Sequence, residues 1–297
     1  MARPFLLVAV LLVACAARRE AEWPGPRADG SFLLPNGWSL TPHGAQLELE
    51  HDLPVRLALH PLGRFLAVQH AGHRGHAVAL VDLDSDAVVQ VLPIAKSWSG
   101  LAWSADGRQL FVSGGVEDRV HVFTCDVASG RCTPERDLPV GDGARLDLVA
   151  GLCLDDGGRL FVCLQRSDRL VRLDPEGRTE FEVAFPPAAM PFECVLSRGE
   201  LWVSLWGAAE VWALDPRSGE VRARVPTGSH PSQLLAAPDG ARLFVSNSNE
   251  NTVSVVDVAA RRVEETLSSA LYPLVPPGST PDALALDASG RILLVAN

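Results

Sequence analysis

Short apolar runs alternate with polar turns along most of this chain, and residues 242–257 show the pattern most clearly. An apolar run at 243–245 is followed by the polar stretch Ser-Asn-Ser-Asn-Glu-Asn and then by a second run that carries three valines. Apolar, β-branched runs of this length around a polar turn are typical of a β-hairpin. Pro238, Asp239 and Gly240 lie just upstream and predict a tight turn. The stretch therefore predicts a turn and two paired strands.

The same pattern occurs six times, each time as a turn glycine followed by an apolar run that closes on a valine. The closing valines are Val68, Val112, Val162, Val203, Val245 and Val295. A third strand is expected after five of the six copies, and a fourth after the clearest ones. A helical solenoid is the rival architecture, but no 3.6-residue period stands out. The repeat predicts an all-β fold, a β-propeller of four-stranded blades, with six units visible and seven when complete.

Mostly small residues recur in the strand that should lie nearest the propeller axis. They are Ala58, Ala102, Cys153, Cys194, Leu235 and Ala285. Leucine is the usual residue just before these positions, and Glu193 is an exception. Small side chains suit the narrow end of a blade. We therefore expect Cys153 and Cys194 to be small buried side chains rather than reactive thiols.

Residues 244–257, Phe-Val-Ser-Asn-Ser-Asn-Glu-Asn-Thr-Val-Ser-Val-Val-Asp, closely resemble the YVTN-type propeller repeat. The resemblance covers roughly residues 50–297, and it is weakest in the third unit, at Phe-Val-Cys-Leu-Gln 161–165. It implies a propeller, typically seven-bladed and periplasmic or on the cell surface, that is used for binding.

Three further stretches carry a narrower resemblance, at residues 34–44, 69–76 and 272–282. Together they resemble the N-terminal half of bacterial proteins that join a YVTN propeller to a phosphoesterase domain of the alkaline-phosphatase superfamily. Because the chain ends directly after the second strand of a unit, we expect it to be incomplete, with a further roughly 70 residues needed to close the propeller. The resemblance implies a phosphoesterase domain beyond those residues. Residues 46–50, Gln-Leu-Glu-Leu-Glu, are a possible outer strand for the last blade.

The N-terminal residues resemble a targeting segment. One basic residue precedes an apolar run of about ten residues, too short to span a bilayer of ~30 Å as a helix. Leu-Val-Ala-Cys at 12–15 resembles a bacterial lipobox, which implies that Cys15 is lipidated, and a plain secretory signal is the alternative. We expect an exported lipoprotein, periplasmic or on the bacterial surface. The expected domains are a signal peptide at 1–15, a tether and lead-in at 16–45, and the propeller at 46–297.

Composition and net charge limit the classes of partner that this chain can bind. The chain has 297 residues, 47% of them apolar, which is enough for one large packed domain. A net charge of −10 argues against nucleic acid and against an anionic membrane surface, so we expect membrane contact only through the lipid anchor. Outside the cytoplasm disulfides persist, and Cys125 and Cys132 flank a predicted hairpin turn, so they form either a disulfide or two free thiols.

Two groups of residues suggest metal chemistry, each with a structural alternative. His70, His73 and His76 lie three residues apart in a glycine-rich segment, and they form either a weak metal site or a solvated loop at a blade rim. Asp82, Asp174, Asp215 and Asp257 each end a third strand. Because they recur with the repeat, we interpret these carboxylates as turn caps rather than as a metal ring.

The segments that enter the innermost strands offer polar groups at one mouth of the channel. The candidate ligand-binding residues there are Lys96, Trp98, His230, Gln233 and Asp282. No catalytic motif stands out, so we expect a module that binds an unknown protein or small molecule, without a cofactor, and is not itself an enzyme. The alternative is a metal-dependent propeller hydrolase similar to the gluconolactonase and strictosidine-synthase groups.

Overall fold

β-Strands form nearly all the regular structure of this protein. The computed structural model describes residues 22–44, 46–141, 146–270, 272, 276 and 278–297. The signal peptide predicted at 1–15, with Cys15, lies outside these ranges. The chain divides into two compact units, Met1–Glu48 and Leu49–Asn297. Within the described ranges, no helix is long and apolar enough to cross a membrane.

The first unit contains one antiparallel sheet of three short strands, β1 (Gly25–Pro26), β2 (Phe32–Leu33) and β3 (Ser39–Leu40). The second unit consists of six antiparallel sheets whose strands pair in chain order. Blade 1 contains β4 (Pro54–Leu59), β5 (Phe65–Gly72), β6 (Gly75–Asp82) and β7 (Ala87–Ile94). Blade 2 contains β8 (Leu101–Trp103), β9 (Gln109–Ser113), β10 (Arg119–Cys125) and β11 (Cys132–Pro139), with a 3₁₀ turn at Gly115–Glu117.

The next three sheets repeat this arrangement. Blade 3 contains β12 (Val149–Leu154), β13 (Leu160–Leu164), β14 (Arg169–Leu173) and β15 (Thr179–Ala184). Blade 4 contains β16 (Pro191–Ser197), β17 (Glu200–Leu205), β18 (Glu210–Leu214) and β19 (Val221–Pro226). Blade 5 contains β20 (Pro231–Ala236), β21 (Arg242–Asn247), β22 (Thr252–Asp257) and β23 (Arg262–Ser268). Blade 6 contains β24 (Ala283–Leu286) and β25 (Leu293–Ala296).

The first strands of successive blades contact one another in series, from β4 through β8, β12, β16 and β20 to β24. Sheets stacked in this way around the first strands form a β-propeller, so the predicted fold class is confirmed. The third unit is a complete blade, although its sequence departs from the repeat. Residues 46–50, suggested as an outer strand, form no strand in the structure.

The hydrophobic core lies between neighbouring blades. Between blades 1 and 2, for example, buried Leu80 packs in one cluster with buried Leu101 and Leu110. Between blades 4 and 5, fully buried Trp202 packs in a cluster with Leu243 and Val256. Each fully buried side chain of this kind contributes roughly 1.5–3 kcal/mol. Both faces of an inner blade are covered in this way, so successive residues along its strands are mostly apolar.

The aspartates that end the third strands cap turns, as expected. Asp215 Oδ1 accepts hydrogen bonds from the Arg217 and Ser218 amides at 2.8 and 3.1 Å, and Asp257 Oδ1 accepts one from the Ala260 amide at 2.8 Å. Hydrogen bonding to Arg64 lowers the pKa of Asp82 to about 2. These carboxylates belong to the repeat and not to a metal ring.

A serine hydroxyl ties blade 2 to blade 3 and another ties blade 4 to blade 5. Ser113 Oγ donates to the Val149 carbonyl at 2.6 Å, and Ser204 Oγ donates to the Ser232 carbonyl at 2.7 Å. These serines directly follow the closing valines of their blades. The same position in blade 3 is Cys163, so that blade lacks the serine hydroxyl.

Cys125 and Cys132 are cross-strand partners on β10 and β11, and they are joined in a disulfide. The sequence leaves a disulfide and two free thiols as alternatives for this pair, and the structure contains the disulfide. Cys153, Cys163 and Cys194 are free thiols.

Candidate functional site

An ion pair crosses the propeller between blades that are not neighbours. Arg56 lies on β4 of blade 1 and Glu193 lies on β16 of blade 4, and Arg56 Nη2 is 2.5 Å from Glu193 Oε2. Both strands are the first of their blades, and β16 has β12 and β20 as its neighbours. The pair therefore spans the central channel. The side chain of Glu193 is 2% exposed and that of Arg56 is 19% exposed.

The charge at position 193 is not demanded by packing. The equivalent residues of the other five blades are Leu57, Leu101, Leu152, Leu234 and Leu284. Burial raises the pKa of Glu193 to about 7, and the attraction to Arg56 only partly opposes this. Replacing a buried ion pair by apolar residues is often neutral or stabilising. The pair is therefore a candidate for function rather than a requirement of the fold.

Unpaired hydrogen-bond donors lie in the same region. Gln69 is the cross-strand partner of Arg56, and its Oε1 accepts a hydrogen bond from the Gly100 amide at 3.1 Å. Within the described part of the chain, Gln69 Nε2 and Trp98 Nε1 are buried and have no hydrogen-bond partner. Trp98 lies two residues before Gly100 in the segment that enters blade 2. Two buried donors therefore lack acceptors in the protein, and such donors favour acceptor oxygens in a ligand.

Two glycines let the first strands approach closely around the ion pair. A Cβ atom at Gly151 would lie 2.6 Å from the backbone of Phe192 and Glu193, and one at Gly100 would lie 2.1 Å from the Ala150 carbonyl oxygen. Any side chain at Gly151 would displace the backbone that carries Glu193. Blades 2 and 3 carry glycine at the repeat position that Arg56 occupies in blade 1. These glycines thus determine where the Glu193 carboxylate lies.

The residues predicted at the channel mouth fall into two groups. On one side, Gln233 Oε1 accepts a hydrogen bond from the Leu284 amide at 2.5 Å, and Asp282 Oδ1 accepts one from Ser248 Oγ at 3.1 Å. These two side chains therefore tie blade 5 to blade 6. His230 stacks on Trp206 with ring centroids 3.8 Å apart. All three remain only partly buried or exposed, so a ligand can reach the mouth beside them.

On the other side, Lys96 is exposed and Trp98 is partly buried against the cluster between blades 3 and 4. Among the described residues, no hydrogen bond connects these two with His230, Gln233 or Asp282. The structure thus packs Trp98 against the cluster between blades 3 and 4, and it places Gln233 and Asp282 in contacts between blades.

The three histidines are not a loop cluster, which corrects the sequence interpretation. His70 lies on β5 and His76 on β6, and only His73 and Arg74 form the turn between them. His70 is buried, which lowers its pKa, and its Nδ1 is 3.3 Å from the Asp52 carbonyl oxygen. His76 Nδ1 accepts a hydrogen bond from the Ser97 amide at 2.8 Å. The glycine at 72 serves close packing against Asp52 rather than loop freedom.

Sequence reasoning missed Arg56, Gln69 and Glu193 as a group. One signal was present, since Glu193 breaks the leucine position of the repeat. No local pattern identifies its partner, because Arg56 is 137 residues away along the chain (193 − 56).

Part of the chain matches a known family. Residues 57–198 match the model described as the SMP-30/Gluconolactonase/LRE-like region. Regucalcin from Xenopus laevis is 26% identical over 144 residues, which is 45% of this chain and 47% of that protein. Regucalcin from Sus scrofa is 24% identical over 119 residues, or 40% of this chain and 39% of that protein. The matches thus span less than half the length of these curated relatives.

Solved structures share the fold. Virginiamycin B lyase from Staphylococcus aureus superposes with a TM-score of 0.66 at 15% identity, covering 82% of this chain and 77% of the lyase. Hydrazine synthase from Kuenenia stuttgartiensis superposes with a TM-score of 0.66 at 19% identity, covering 85% of this chain and 76% of the synthase chain. At such identities the likeness shows the propeller fold alone.

Proposed function

We propose that this β-propeller is a module that binds a small polar molecule in its central channel. The observation that carries the proposal is the Arg56–Glu193 ion pair, whose Glu193 is buried where every other blade has leucine. Sites that depart from the consistent pattern of a fold without benefit to packing are typically functional. The resemblance to the YVTN-type repeat also implies a propeller that is used for binding.

The chemistry of the channel indicates the class of ligand. Arg56, Gln69 Nε2 and Trp98 Nε1 supply donors, and Glu193 supplies one carboxyl group. A ligand that carries hydroxyl and carbonyl or carboxylate oxygens matches this set. We therefore propose a hydroxy acid or a sugar derivative, with Trp98 beside it at the mouth.

Calorimetric titration of the purified chain with sugar acids, their lactones and neutral sugars tests the proposal. A double variant, Arg56→Met with Glu193→Leu, should abolish binding. It should keep the fold, because Leu at 193 is the residue of the other five blades and Met at 56 removes the charge that would lose its partner. Arg178→Gln is the matched control, since it removes an exposed ion pair with Asp174 outside the channel. Unchanged binding by the double variant would refute the proposal.

Hydrolysis is the second candidate function, and one observation favours it. The segment that matches the gluconolactonase-related family includes Glu193, whose carboxyl group has its pKa raised to about 7. A carboxyl group that titrates near neutrality suits general acid–base catalysis. Under this alternative Glu193 would move the proton, and Arg56 would hold the oxygen that becomes charged.

A divalent metal ion of the kind expected for the hydrolase alternative does not fit the donors in the described residues. There, no group of three or more His, Cys, Asp or Glu side chains is placed to hold a metal ion. Glu193 faces the guanidinium of Arg56, and Asn247 Nδ2 donates to Thr252 and Ser254 within its own blade. We derive no catalytic step through a metal.

A turnover assay separates the two functions. The purified chain is incubated with a lactone panel, with and without added Ca²⁺ or Zn²⁺. Turnover that Glu193→Gln abolishes would favour the hydrolase, whereas binding without turnover would favour the binding module. Turnover that requires the added metal would contradict the conclusion that these donors do not fit a divalent metal ion.

Export and lipid anchoring are part of the proposal. They rest on the lipobox-like residues 12–15 and gain support from the Cys125–Cys132 disulfide, since disulfides are typical of oxidising compartments. Processing sensitive to globomycin, with Cys15 recovered in the membrane fraction, is the expected result. Unchanged processing of a Cys15→Ala protein would contradict lipidation.

We also propose that the propeller is of the YVTN type and is joined to a phosphoesterase domain, on the basis of residues 34–44, 69–76 and 272–282. The gene sequence that follows the codon for Asn297 tests this directly.

A further inference from the structure

Three free thiols meet at the interface of blades 3 and 4. Cys153 lies on β12 and Cys163 on β13 of blade 3, and Cys194 lies on β16 of blade 4. Cys163 and Cys194 are buried in one hydrophobic cluster, and Cys153 packs against it. Cys194 Sγ lies 3.8 Å from the carbonyl oxygen of Phe161, the cross-strand partner of Cys153.

The repeat makes this arrangement specific to one interface. The positions of Cys153 and Cys194 are alanine in blades 1, 2 and 6 and leucine in blade 5. Cys163 occupies the repeat position of Ser113 and Ser204. The hydroxyl groups of those serines each donate a hydrogen bond to a carbonyl of the next blade. The blade 3–4 interface thus carries thiols at three positions where the fold accepts alanine or serine, so packing alone does not account for them.

The surroundings activate one of the thiols. Burial raises the pKa of Cys153 and Cys163. Burial opposes ionisation of Cys194 as well, but hydrogen bonds from the other two thiols and the charge of Arg56 lower its pKa. Thiolates stabilised by donors and a nearby cation are the reactive form in exchange chemistry. Cys153 is the most exposed of the three, whereas Cys163 and Cys194 are buried.

We propose that Cys153 and Cys194 form a thiol–disulfide exchange site that takes low-molecular-weight disulfides as its oxidant. Cys153 passes its proton to the Cys194 thiolate and attacks one sulfur of the small disulfide, which forms a mixed disulfide on Cys153 and expels one small thiolate. That thiolate takes the proton back from Cys194 and leaves as the first small thiol. The Cys194 thiolate then attacks Sγ of Cys153 and releases the second small thiol. The protein loses two electrons and two protons, and the small disulfide gains both. The product is a disulfide between the first strands of blades 3 and 4.

Peptide mapping of the purified full chain tests this site. The chain is treated with 2-hydroxyethyl disulfide or with dithiothreitol, alkylated, digested and examined by mass spectrometry. We expect a Cys153–Cys194 crosslinked peptide after the disulfide treatment, with two equivalents of 2-mercaptoethanol released, and alkylation of Cys153, Cys163 and Cys194 after the dithiothreitol treatment. If all three cysteines remain alkylatable after the disulfide treatment, or are oxidised only in urea, the proposal is overturned.

Variants assign the roles. Cys194→Ser should stop the reaction at a mixed disulfide on Cys153, and Cys153→Ala, which inserts the residue of blades 1 and 2, should abolish oxidation of Cys194. Cys163→Ser is the matched control, because it restores the serine of other blades and should still give the crosslinked peptide. Thermal melting of each variant shows that it is folded. A crosslink that survives Cys153→Ala would refute the assignment.

Discussion

Glu193 shows how one residue can depart from a repeat without breaking it. Five blades carry leucine at this position, and each of these leucines except Leu57 is buried against a neighbouring blade. In blade 4 a carboxyl group takes the same place, and Arg56 reaches across the channel to it. Because the backbone is fixed by the repeat, the charge is accommodated at an energetic cost that depends on pH.

That cost predicts a pH dependence of stability. Burial raises the pKa of Glu193 from 4.5 to about 7, so the folded state holds its proton more tightly than the unfolded state between these values. The contribution of Glu193 to the free energy of unfolding is therefore full below pH 4.5 and falls as the pH rises to 7. At 1.36 kcal/mol per pKa unit, the upper bound of the loss is about 3 kcal/mol.

Glu193→Gln cannot titrate, so the variant should gain stability relative to wild type between pH 5 and pH 8. Urea denaturation of both proteins at the two pH values measures the difference. Parallel curves for the two proteins would show that Glu193 stays ionised throughout.

At the scale of strands and blades, burial on both faces decides which positions tolerate change. Val255 lies on β22 and is 3% exposed, in the cluster that contains Phe244 and Leu284. Val221 begins the outermost strand of blade 4 and is 38% exposed. The inner strands therefore should be far more sensitive to a charge than the outer ones.

Val255→Asp is expected to lower the free energy of unfolding by roughly 3 kcal/mol or more, because it buries an unpaired charge. Val221→Asp, the matched control, and His73→Ala, at an exposed turn, should leave the melting temperature nearly unchanged. Thermal denaturation followed by circular dichroism checks all three. A large loss for His73→Ala would indicate that its turn has a structural or metal-binding role.

The ties between blades predict a second effect at this scale. Ser204 Oγ accepts from the Glu193 amide at 3.1 Å and donates to the Ser232 carbonyl at 2.7 Å, and the residue is fully buried. Ser204→Ala leaves both backbone groups unpaired and should cost about 1–3 kcal/mol. Ser218→Ala, at an exposed turn, serves as the control. Equal urea midpoints for the two variants would mean that the tie is not energetically important.

At the scale of the whole molecule, the first blade exposes an apolar face. Leu57 is 58% exposed, whereas its counterparts Leu101 and Leu234 are 5% and 3% exposed. Leu59 on the same strand is 57% exposed. Contiguous exposed apolar side chains on a sheet face favour association.

We therefore expect the 297-residue chain to associate at micromolar concentrations, and Leu57→Asp with Leu59→Asp to reduce the association. Sedimentation velocity measures both proteins over a range of concentrations. A monodisperse wild-type monomer would contradict the expectation and would mean that this face is not adhesive.

The sequence by itself determined the elements of this fold. The recurring glycine, apolar run and valine predicted the strands, the blades and the capping role of Asp215 and Asp257, because period, turn chemistry and local hydrogen bonds act over a few residues. It could not distinguish a loop from two strands at His70 and His76, because glycine at 72 signals a turn as readily as it signals close packing against Asp52.

Only the tertiary structure decided which distant residues meet. Arg56 and Glu193 lie on opposite sides of the channel, and Cys153 and Cys194 lie on adjacent blades. Each pair is placed by how the blades wind around the axis, and no local pattern along the chain records that winding. The repeat dictates a similar backbone in every blade. The chemistry of the channel depends instead on which side chains depart from the repeat and on where the winding of the blades brings them together.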